Sequence, residues 1–471
     1  MPLPKSAPHV HKFGGASLAD AAAIGQVVAI VRSYRPEPAV VVVSAMAGAT
    51  DALLAVAGHA VRGEATRVRE LVAALRAKYG RAARAVVPPG RARTTLLDYV
   101  RDQFDELAAL ASGLGLLRDL SPRTSDFILA RGERLSARLV AAALAARGIR
   151  ARFVDATGIV RTDAHYGHAS PDYERTDRAA RRVLRPLLAR RIIPVVPGFL
   201  GASPADDLTT LGRGGSDLTA TLIARALGAS RVSLWKDVPG LLTADPRIVP
   251  DARVIPALHS REAAELAYYG AKVLHPRALI PLAGRKIPLY VRPFADPASP
   301  GTEVSERVTA AQLPVKALSA ATHQALVTVA GNGMLGVPGI AARTFAALQQ
   351  RRISVSLISQ ASSEHSICFS VPDAAARDAR AALLHEFREE IERREIDGVE
   401  VGHGVATVAV VGLGMAGTPG VAAGVFSALS AGSINVIAIA QGSSELNISL
   451  VVSEQDREKA VRAIHREFHE S

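Results

Sequence analysis

The last third of this chain carries one pattern twice, and this duplication limits the folds that are open to it. Residues 331–367 align without a gap onto residues 412–448, at a constant offset of 81, with 19 identities in 37 positions. Each copy has a glycine-rich loop, a helix-like stretch after Pro-Gly, and short apolar segments on both sides. The order strand, helix, strand, strand therefore occurs twice, which predicts two related α+β modules.

Both copies also contain a fingerprint that is typical of dinucleotide-binding folds. Residues 331–336 and 412–417 each have the pattern G-x-G-x-x-G, after a strand and before a helix. Only 54 residues follow Gly417 in this sequence, too few for a complete dinucleotide-binding fold. We therefore interpret these glycines as a sensing loop and expect no dehydrogenase activity from this chain.

Two glycine-rich turns in the first half predict a site for an anion. Residues 12–15 are Lys-Phe-Gly-Gly and residues 211–217 are Leu-Gly-Arg-Gly-Gly-Ser-Asp, and each precedes a helix-compatible run. Glycine lets the backbone approach a phosphate closely, and the N–H groups at a helix start point towards it. Lys12 adds positive charge where negative charge accumulates during phosphoryl transfer. The alternatives are an ordinary turn with a surface lysine for the first motif and a solvated loop for the second.

The signatures of two common phosphotransfer folds are absent from the sequence. It contains no G-x-x-x-x-G-K-[ST] loop, and neither a His-Arg-Asp nor an Asp-Phe-Gly motif. These absences exclude a P-loop ATPase and a protein kinase.

An alternation of short apolar segments with amphipathic stretches predicts an α/β domain in the first 300 residues. The Val- and Ile-rich segments that we expect to be buried strands are residues 39–44, 192–197, 231–235 and 287–291. The expected helices include residues 64–78, 94–110, 132–147 and 173–190. This order is typical of a mostly parallel sheet with helices on both faces. Lys12, Ser44 and Asp237 then fall at the carboxyl ends of strands, where such sheets bind ligands.

Charge and cysteine content limit the partners that the protein is expected to bind and the cellular compartment in which it is expected. The net charge is +12, but the basic residues are dispersed and only 4% of residues are aromatic, which does not favour nucleic-acid binding. The positive charge favours anionic substrates instead. The single cysteine, Cys368, excludes an intrachain disulfide, and no apolar run reaches the ~20 residues that span a bilayer. With no apolar leader at the N-terminus, we expect a cytoplasmic protein without membrane partners.

Six segments together resemble those of aspartate kinase, and they occur in that family's order. Residues 12–17 and 212–217 carry most weight, and the others are residues 43–54, 132–134, 235–247 and 269–276. The duplicated modules resemble paired ACT domains, which sense amino acids in many biosynthetic enzymes. Their pattern looks most like the threonine-sensitive type, and we expect a monofunctional chain.

The resemblance implies an amino-acid kinase fold at residues 1–312, followed by ferredoxin-like ACT domains at residues 313–400 and 401–471. In the family's arrangement, residues 315–319 give a strand to the second ACT domain. The implied substrates are ATP, with Mg²⁺, and L-aspartate. The implied product is 4-phospho-L-aspartate, at the entry to lysine, threonine and methionine biosynthesis. Feedback inhibition by threonine or lysine and a homodimer or homotetramer are also implied.

The resemblance also assigns roles to individual residues. The catalytic candidates are Lys12 and Asp217. The candidates for binding aspartate are Ser44, Thr50, Glu133, Arg213 and Ser216. The candidates for binding the nucleotide are Lys12, Gly14, Gly15, Asp237, Arg247 and Lys272. Ser216 is the candidate contact for Mg²⁺, and the candidates for binding the effector are Gln360, Asn435 and Gln441.

Three positions depart from the family pattern. Ala16 and Lys236 stand where threonine is usual or frequent, and Leu242 stands where many members have tyrosine. These replacements alter the expected nucleotide contacts. Two other classes stay open: a related kinase that phosphorylates glutamate, N-acetylglutamate or a nucleotide, and a non-catalytic amino-acid sensor.

Overall fold

The structure is a computed structural model that describes residues 7–270, 273–307, 313–334, 337–360 and 365–470. The chain forms two compact units. The first comprises residues 1–241, 256–260 and 273–307, and the second comprises residues 242–255, 261–272 and 308–471. None of the helices in the described ranges is long and apolar enough to cross a membrane.

An eight-stranded sheet forms the centre of the first unit. The strands of this unit are β1 (His9–Phe13), β2 (Ala39–Val43), β3 (Ala151–Phe153), β4 (Ile193–Pro197), β5 (Leu200–Ala202), β6 (Leu208–Thr210), β7 (Arg231–Lys236), β8 (Ala257–His259), β9 (Leu289–Pro293) and β10 (Thr302–Ser305). The sheet order is β3-β4-β2-β1-β7-β9-β10-β8, and β5 and β6 form a separate hairpin. Only β9 and β10 pair antiparallel in the large sheet, which confirms the prediction of a mostly parallel sheet.

Seven helices accompany this sheet in the described part of the first unit. They are α1 (Ala21–Ser33), α2 (Ala49–Val61), α3 (Ala65–Val86), α4 (Arg91–Leu117), α5 (Pro122–Ala145), α6 (Tyr173–Ala189) and α7 (Gly215–Leu227). The four predicted strands lie within two residues of their expected ends, whereas several helices are longer than predicted. For example, α5 begins ten residues early because the Thr124 N–H donates to Ser121 Oγ at 3.1 Å and Pro122 occupies its first turn.

The helix that follows the first glycine pair does not begin directly after it. A short 3₁₀ turn, Ala16–Leu18, follows the glycine pair, and α1 begins only at Ala21. Asp20 caps α1 by accepting the Ala23 N–H at 2.9 Å. Because the Asp20 carboxylate accepts an N–H group at this helix start, the N–H groups of α1 are not the phosphate site that the sequence suggested.

One face of β1 packs a cluster of histidine and aromatic rings. His9 and His11 alternate along the strand, and their ring centroids lie 3.7 Å apart. Trp235 Nε1 donates to His11 Nδ1 at 3.3 Å, and the rings of Phe13 and Trp235 stack 6.1 Å apart. All four residues are fully buried. Burial lowers the pKa of both histidines, that of His11 to about 3, so both stay neutral in the folded protein.

The buried histidines predict loss of stability in mild acid. Since the unfolded chain binds a proton to each histidine below about pH 6.5 and the folded chain does not, stability falls as pH falls. Between pH 7 and pH 5, His11→Gln should lose about 2 kcal/mol less stability than the wild type. Urea unfolding followed by the fluorescence of Trp235, the only tryptophan of the sequence, measures this difference. The exposed control His168→Gln should keep the wild-type slope, and an unchanged slope in His11→Gln would contradict the prediction.

The second unit contains two modules that share one antiparallel sheet. Its strands are β11 (Ala317–Ala330), β12 (Leu357–Gln360), β13 (Ser366–Pro372), β14 (Gly398–Val411), β15 (Ala438–Gln441) and β16 (Asn447–Ser453). Its helices are α8 (Ser260–Tyr268, which begins at the unit boundary), α9 (Ile340–Gln350), α10 (Asp373–Glu386), α11 (Arg388–Glu392), α12 (Val421–Ala431) and α13 (Arg457–His469). The sheet order is β12-β13-β11-β14-β16-β15, which confirms the two predicted α+β modules.

The long strand β11 serves both modules. Its first part, residues 317–321, pairs with residues 407–411 of β14, and the same part of β14 pairs with β16. Its second part, residues 324–330, pairs with β13. Separate apolar cores surround Phe369 in the first module and Leu450 in the second. The exact domain boundaries stay predictions.

Candidate functional site

Two lysines share the carboxylate of Asp217 at the carboxyl ends of β1 and β7. Lys12 Nζ lies 2.6 Å from Asp217 Oδ1, and Lys236 Nζ lies 2.8 Å from Asp217 Oδ2. The parallel register pairs Lys12 with Leu234, so Lys236, two residues further along, projects from the same face of the sheet. The first turn of α7 supplies Asp217. The resemblance made Lys12 and Asp217 catalytic candidates, but it assigned Lys236 no place at this carboxylate.

These three side chains by themselves carry one unit of net positive charge, and the buried carboxyl of Glu133 is near enough for its charge to act on Lys12. Lys12 and Asp217 are each 6% exposed, and Lys236 is 17% exposed. Burial alone would raise the pKa of Asp217, but the two ammonium groups outweigh it and lower the pKa to about 2. Burial also lowers the pKa of Lys12, although Asp217 opposes this change. Because a buried charge without a counter-ion is costly, the cluster favours binding of an anion.

Glycine turns leave room for an anion beside the lysines. A Cβ built on Gly14 would lie 3.5 Å from Lys12 Nζ, and one on Gly15 would lie 3.3 Å from the Ala45 carbonyl oxygen. Gly214, with a φ of +71°, precedes α7, and no side chain caps this helix. The start of α7, unlike that of α1, therefore presents uncapped N–H groups that suit a phosphate.

Glu133 from α5 is a further buried acid in this unit. The Ala45 N–H donates to Glu133 Oε1 at 3.3 Å, which joins α5 to the loop after β2. The other oxygen, Oε2, is buried and has no hydrogen-bond partner among the described residues. Burial raises the pKa of Glu133 to about 7. An unpartnered buried carboxylate oxygen suits a ligand that donates hydrogen bonds, such as the ammonium group of an amino acid.

The other predicted substrate residues lie on loops and helix starts of the same unit. Ser44 follows β2 and donates its backbone N–H to the Phe13 carbonyl oxygen at 3.1 Å. Thr50 in α2 and Ser216 in α7 are half-buried. Arg213 is exposed, and the described structure places no carboxylate within ion-pair distance of it. Its guanidinium can therefore hold a substrate carboxylate with two hydrogen bonds.

The structure gives less support to the predicted nucleotide-binding residues that lie outside the glycine turn. Asp237 follows β7 and is exposed. Arg247 belongs to the second unit, is 79% exposed, and pairs with Asp245 at 2.6 Å. Lys272 lies outside the described residues. The roles of all three stay predictions.

The part of the chain that the structure describes does not form a metal site by itself. It holds no group of three or more His, Cys, Asp or Glu side chains that could bind an ion. Both oxygens of Asp217 face lysines, and Ser216, the predicted Mg²⁺ contact, offers one neutral oxygen. Because Mg²⁺ commonly binds through substrate phosphates and water, this donor set fits an ion that enters with the nucleotide.

Gln360, at the end of β12, lines a cavity of about 260 Å³ in the first module. Pro338, Gly339 and Ile340, at the start of α9, line the same cavity. Gly339 has a φ of +96°, and no side chain caps α9. A primary amide that shares a cavity with an uncapped helix start can bind the polar groups of a small amino acid.

The second module differs from the first at the corresponding loop. The Leu413 N–H donates to Glu262 Oε1 at 2.7 Å, and Lys316 Nζ lies 3.3 Å from Glu262 Oε2. Gln441 and Asn435 are exposed. Nothing in the local sequence pattern separates Glu262, a buried acid, from the solvated acids of a helix face, so its role could not be predicted.

Comparison with known families defines the class of protein. Residues 8–293 match the amino acid kinase family, and residues 327–387 and 408–468 match ACT domains. The first unit and its lysine cluster are thus an amino acid kinase domain, and the two modules are ACT domains.

Individual relatives extend the similarity over nearly the whole chain. Aspartokinase 3 of Arabidopsis thaliana, a chloroplastic protein, is 34% identical over 98% of this chain and 82% of its own length. Bifunctional aspartokinase/homoserine dehydrogenase 1 of the same plant is 34% identical over 98% of this chain and 51% of its own length. The chain spans about half the length of such bifunctional relatives. It belongs to the aspartokinase family.

Solved structures show the same relationship. Escherichia coli aspartokinase III in complex with aspartate and ADP has a TM-score of 0.84 at 31% identity, covering 98% of this chain and 99% of that one. The same enzyme in complex with lysine and aspartate has a TM-score of 0.76 at 32% identity, with the same coverage.

The raised pKa of Glu133 predicts that this residue destabilises the folded protein at high pH. The unfolded carboxyl loses its proton near pH 4.5 and the folded one near pH 7, so stability falls as pH rises between these values. The stability of Glu133→Gln relative to the wild type should therefore be about 2.5 kcal/mol higher at pH 8 than at pH 5.

Urea unfolding followed by Trp235 fluorescence at the two pH values checks this prediction. The control Glu174→Gln, in an 84% exposed side chain of α6, should show no such difference. If Glu133→Gln is less stable than the wild type at pH 8, the fold needs the carboxylate. This result would contradict the assignment of Glu133 to ligand binding.

Proposed function

We propose that this chain is an aspartate kinase. It transfers the γ-phosphoryl group of ATP to the β-carboxylate of L-aspartate and yields 4-phospho-L-aspartate and ADP. The observation that carries the proposal is the buried cluster of Lys12, Asp217 and Lys236 at the glycine turns of an aspartokinase-family fold. The relative that binds aspartate and ADP, E. coli aspartokinase III, supports both substrates.

The proposed mechanism relies on charge and position. Lys12 stabilises negative charge on the transferring phosphoryl group, and the backbone of Gly14 and Gly15 lies against the phosphates. Glu133 accepts hydrogen bonds from the substrate ammonium, and Arg213 holds a substrate carboxylate. The attacking carboxylate is already ionised at pH 7, so no strong base is needed.

The remaining residues have supporting roles in this proposal. Ser44 and Thr50 hydrogen-bond to aspartate, and Asp237, Arg247 and Lys272 bind the nucleotide. Mg²⁺ supplies charge neutralisation to the phosphates when it is bound, and Ser216 is the residue that would contact it.

Activity with three acceptors tests the proposal. A coupled hydroxamate assay should give turnover with aspartate and much less with glutamate or N-acetylglutamate. Lys12→Ala should lower kcat by roughly two orders of magnitude, because one well-placed charge at a phosphoryl site is worth several kcal/mol. Exposed Lys286→Ala is the matched control and should keep wild-type turnover. Preference for another acceptor, or wild-type kcat in Lys12→Ala, would overturn the assignment.

We also propose that an amino acid, threonine first and lysine second, inhibits the enzyme through its ACT domains. The cavity of about 260 Å³ at Gln360 has space and polar groups for such a ligand. The relative solved with lysine bound supports an amino-acid effector. Gln441 and Asn435 are the proposed contacts in the second module. We further propose a homodimer or homotetramer and, because Cys368 is the only cysteine, a cytoplasmic location.

Inhibition assays with threonine and lysine, singly and together, check the effector site. Gln360→Ala should weaken inhibition at least tenfold in effector concentration, because the hydrogen bond between its amide and the effector is lost. Gln441→Ala should have a smaller effect, since Gln360 lines a defined cavity. Gln350→Ala, at the exposed end of α9, is the control. Unchanged inhibition in both variants would place the effector elsewhere.

A further inference from the structure

Lys236 is the residue of the lysine cluster to which the proposed mechanism gives no role. It stands at the end of β7, where the family frequently has threonine. Its ammonium lies 2.8 Å from Asp217 Oδ2, whereas Lys12 occupies Oδ1. One carboxylate thus faces two ammonium groups, although one lysine would be enough for a structural ion pair.

A count of hydrogen-bond donors shows that the two lysines have more donors than Asp217 can accept. Each ammonium has three N–H donors and no acceptor. Among the described residues, Asp217 is the only carboxylate within ion-pair distance of either ammonium, and it can use one donor from each. Two donors on each lysine are then left for a ligand. For Lys12, which is 6% exposed, water cannot readily serve them.

The strand register brings Lys236 near the glycine turn. The register pairs Phe13 with Trp235, so the next residues, Gly14 and Lys236, lie beside each other at the ends of β1 and β7. Gly14 has no side chain to fill the space near Lys12 Nζ. The uncapped start of α7 adds partial positive charge from the third side. Lys12, Lys236 and the start of α7 therefore place positive charge around Asp217, and the more distant Glu133 carboxyl also acts on Lys12.

We propose that Lys236 is a second phosphate-binding lysine, which forms with Lys12 a clamp on the terminal phosphates of the bound nucleotide. Asp217 is the shared counter-ion that spaces the two ammonium groups and is not displaced by the ligand. The positive charge of Lys236 replaces the hydroxyl that is frequent at this position in the family. The proposal rests on nucleotide binding at this site, which is part of the proposed function, but it does not require turnover of aspartate.

Displacement of a fluorescent ATP analogue by ATP and by adenosine tests the clamp. In Lys236→Met, ATP should bind at least tenfold more weakly, because charge-assisted hydrogen bonds to phosphate are lost. Adenosine, which has no phosphate, should bind within twofold of its wild-type affinity. Lys236→Arg should recover part of the ATP affinity, and Lys286→Met should change neither ligand.

The outcomes separate the clamp from a structural role and from failure of the proposed function. Equal losses for ATP and adenosine in Lys236→Met would show that Lys236 only supports the fold, and no loss for either would place the phosphates elsewhere. If Lys236→Met does not fold, Lys236→Thr, which restores the residue frequent in the family, carries the same comparison. A wild type that binds ATP but does not phosphorylate aspartate would refute the proposed acceptor and leave this test intact.

Discussion

Asp217 is held by two ammonium groups inside the protein, and the geometry of the site depends on this contact. It joins the ends of β1 and β7 to the first turn of α7, with both lysines projecting from one face of the sheet. Burial makes each charge costly. Such a cluster is therefore expected only where the charges neutralise one another or where a ligand supplies the missing counter-charge. Two lysines face one aspartate, and Glu133, whose pKa is raised to about 7, offsets their charge only in part at neutral pH, so the cluster favours an anionic substrate.

The strand β1 shows how one segment serves stability and chemistry together. Alternate side chains point to opposite faces, so His9, His11 and Phe13 enter the aromatic cluster whereas Lys12 faces Asp217. A shift of register by one residue would exchange these faces and destroy both the core and the site. Glu133 adds a second buried group whose raised pKa opposes stability at high pH, a common property of residues kept for a ligand.

Much of the fold could be predicted from the sequence, because strand and helix periodicities are local properties. The Val-rich strands and the duplicated modules lie where the pattern placed them, whereas the starts of α1 and α5 depended on the caps Asp20 and Ser121. The position of Lys236 could not be predicted, since it follows from the register between strands more than 200 residues apart in sequence. The burial of Glu262 likewise depends on a tertiary contact with Leu413.

The central claim is that the charge cluster around Asp217 binds the phosphates of the nucleotide. A crystal structure of the chain with L-aspartate and a non-hydrolysable ATP analogue with Mg²⁺ tests it most directly. We predict phosphate oxygens about 3 Å from the Nζ atoms of both Lys12 and Lys236, with Asp217 still between the two lysines. A nucleotide whose phosphates lie away from both ammonium groups would contradict the account.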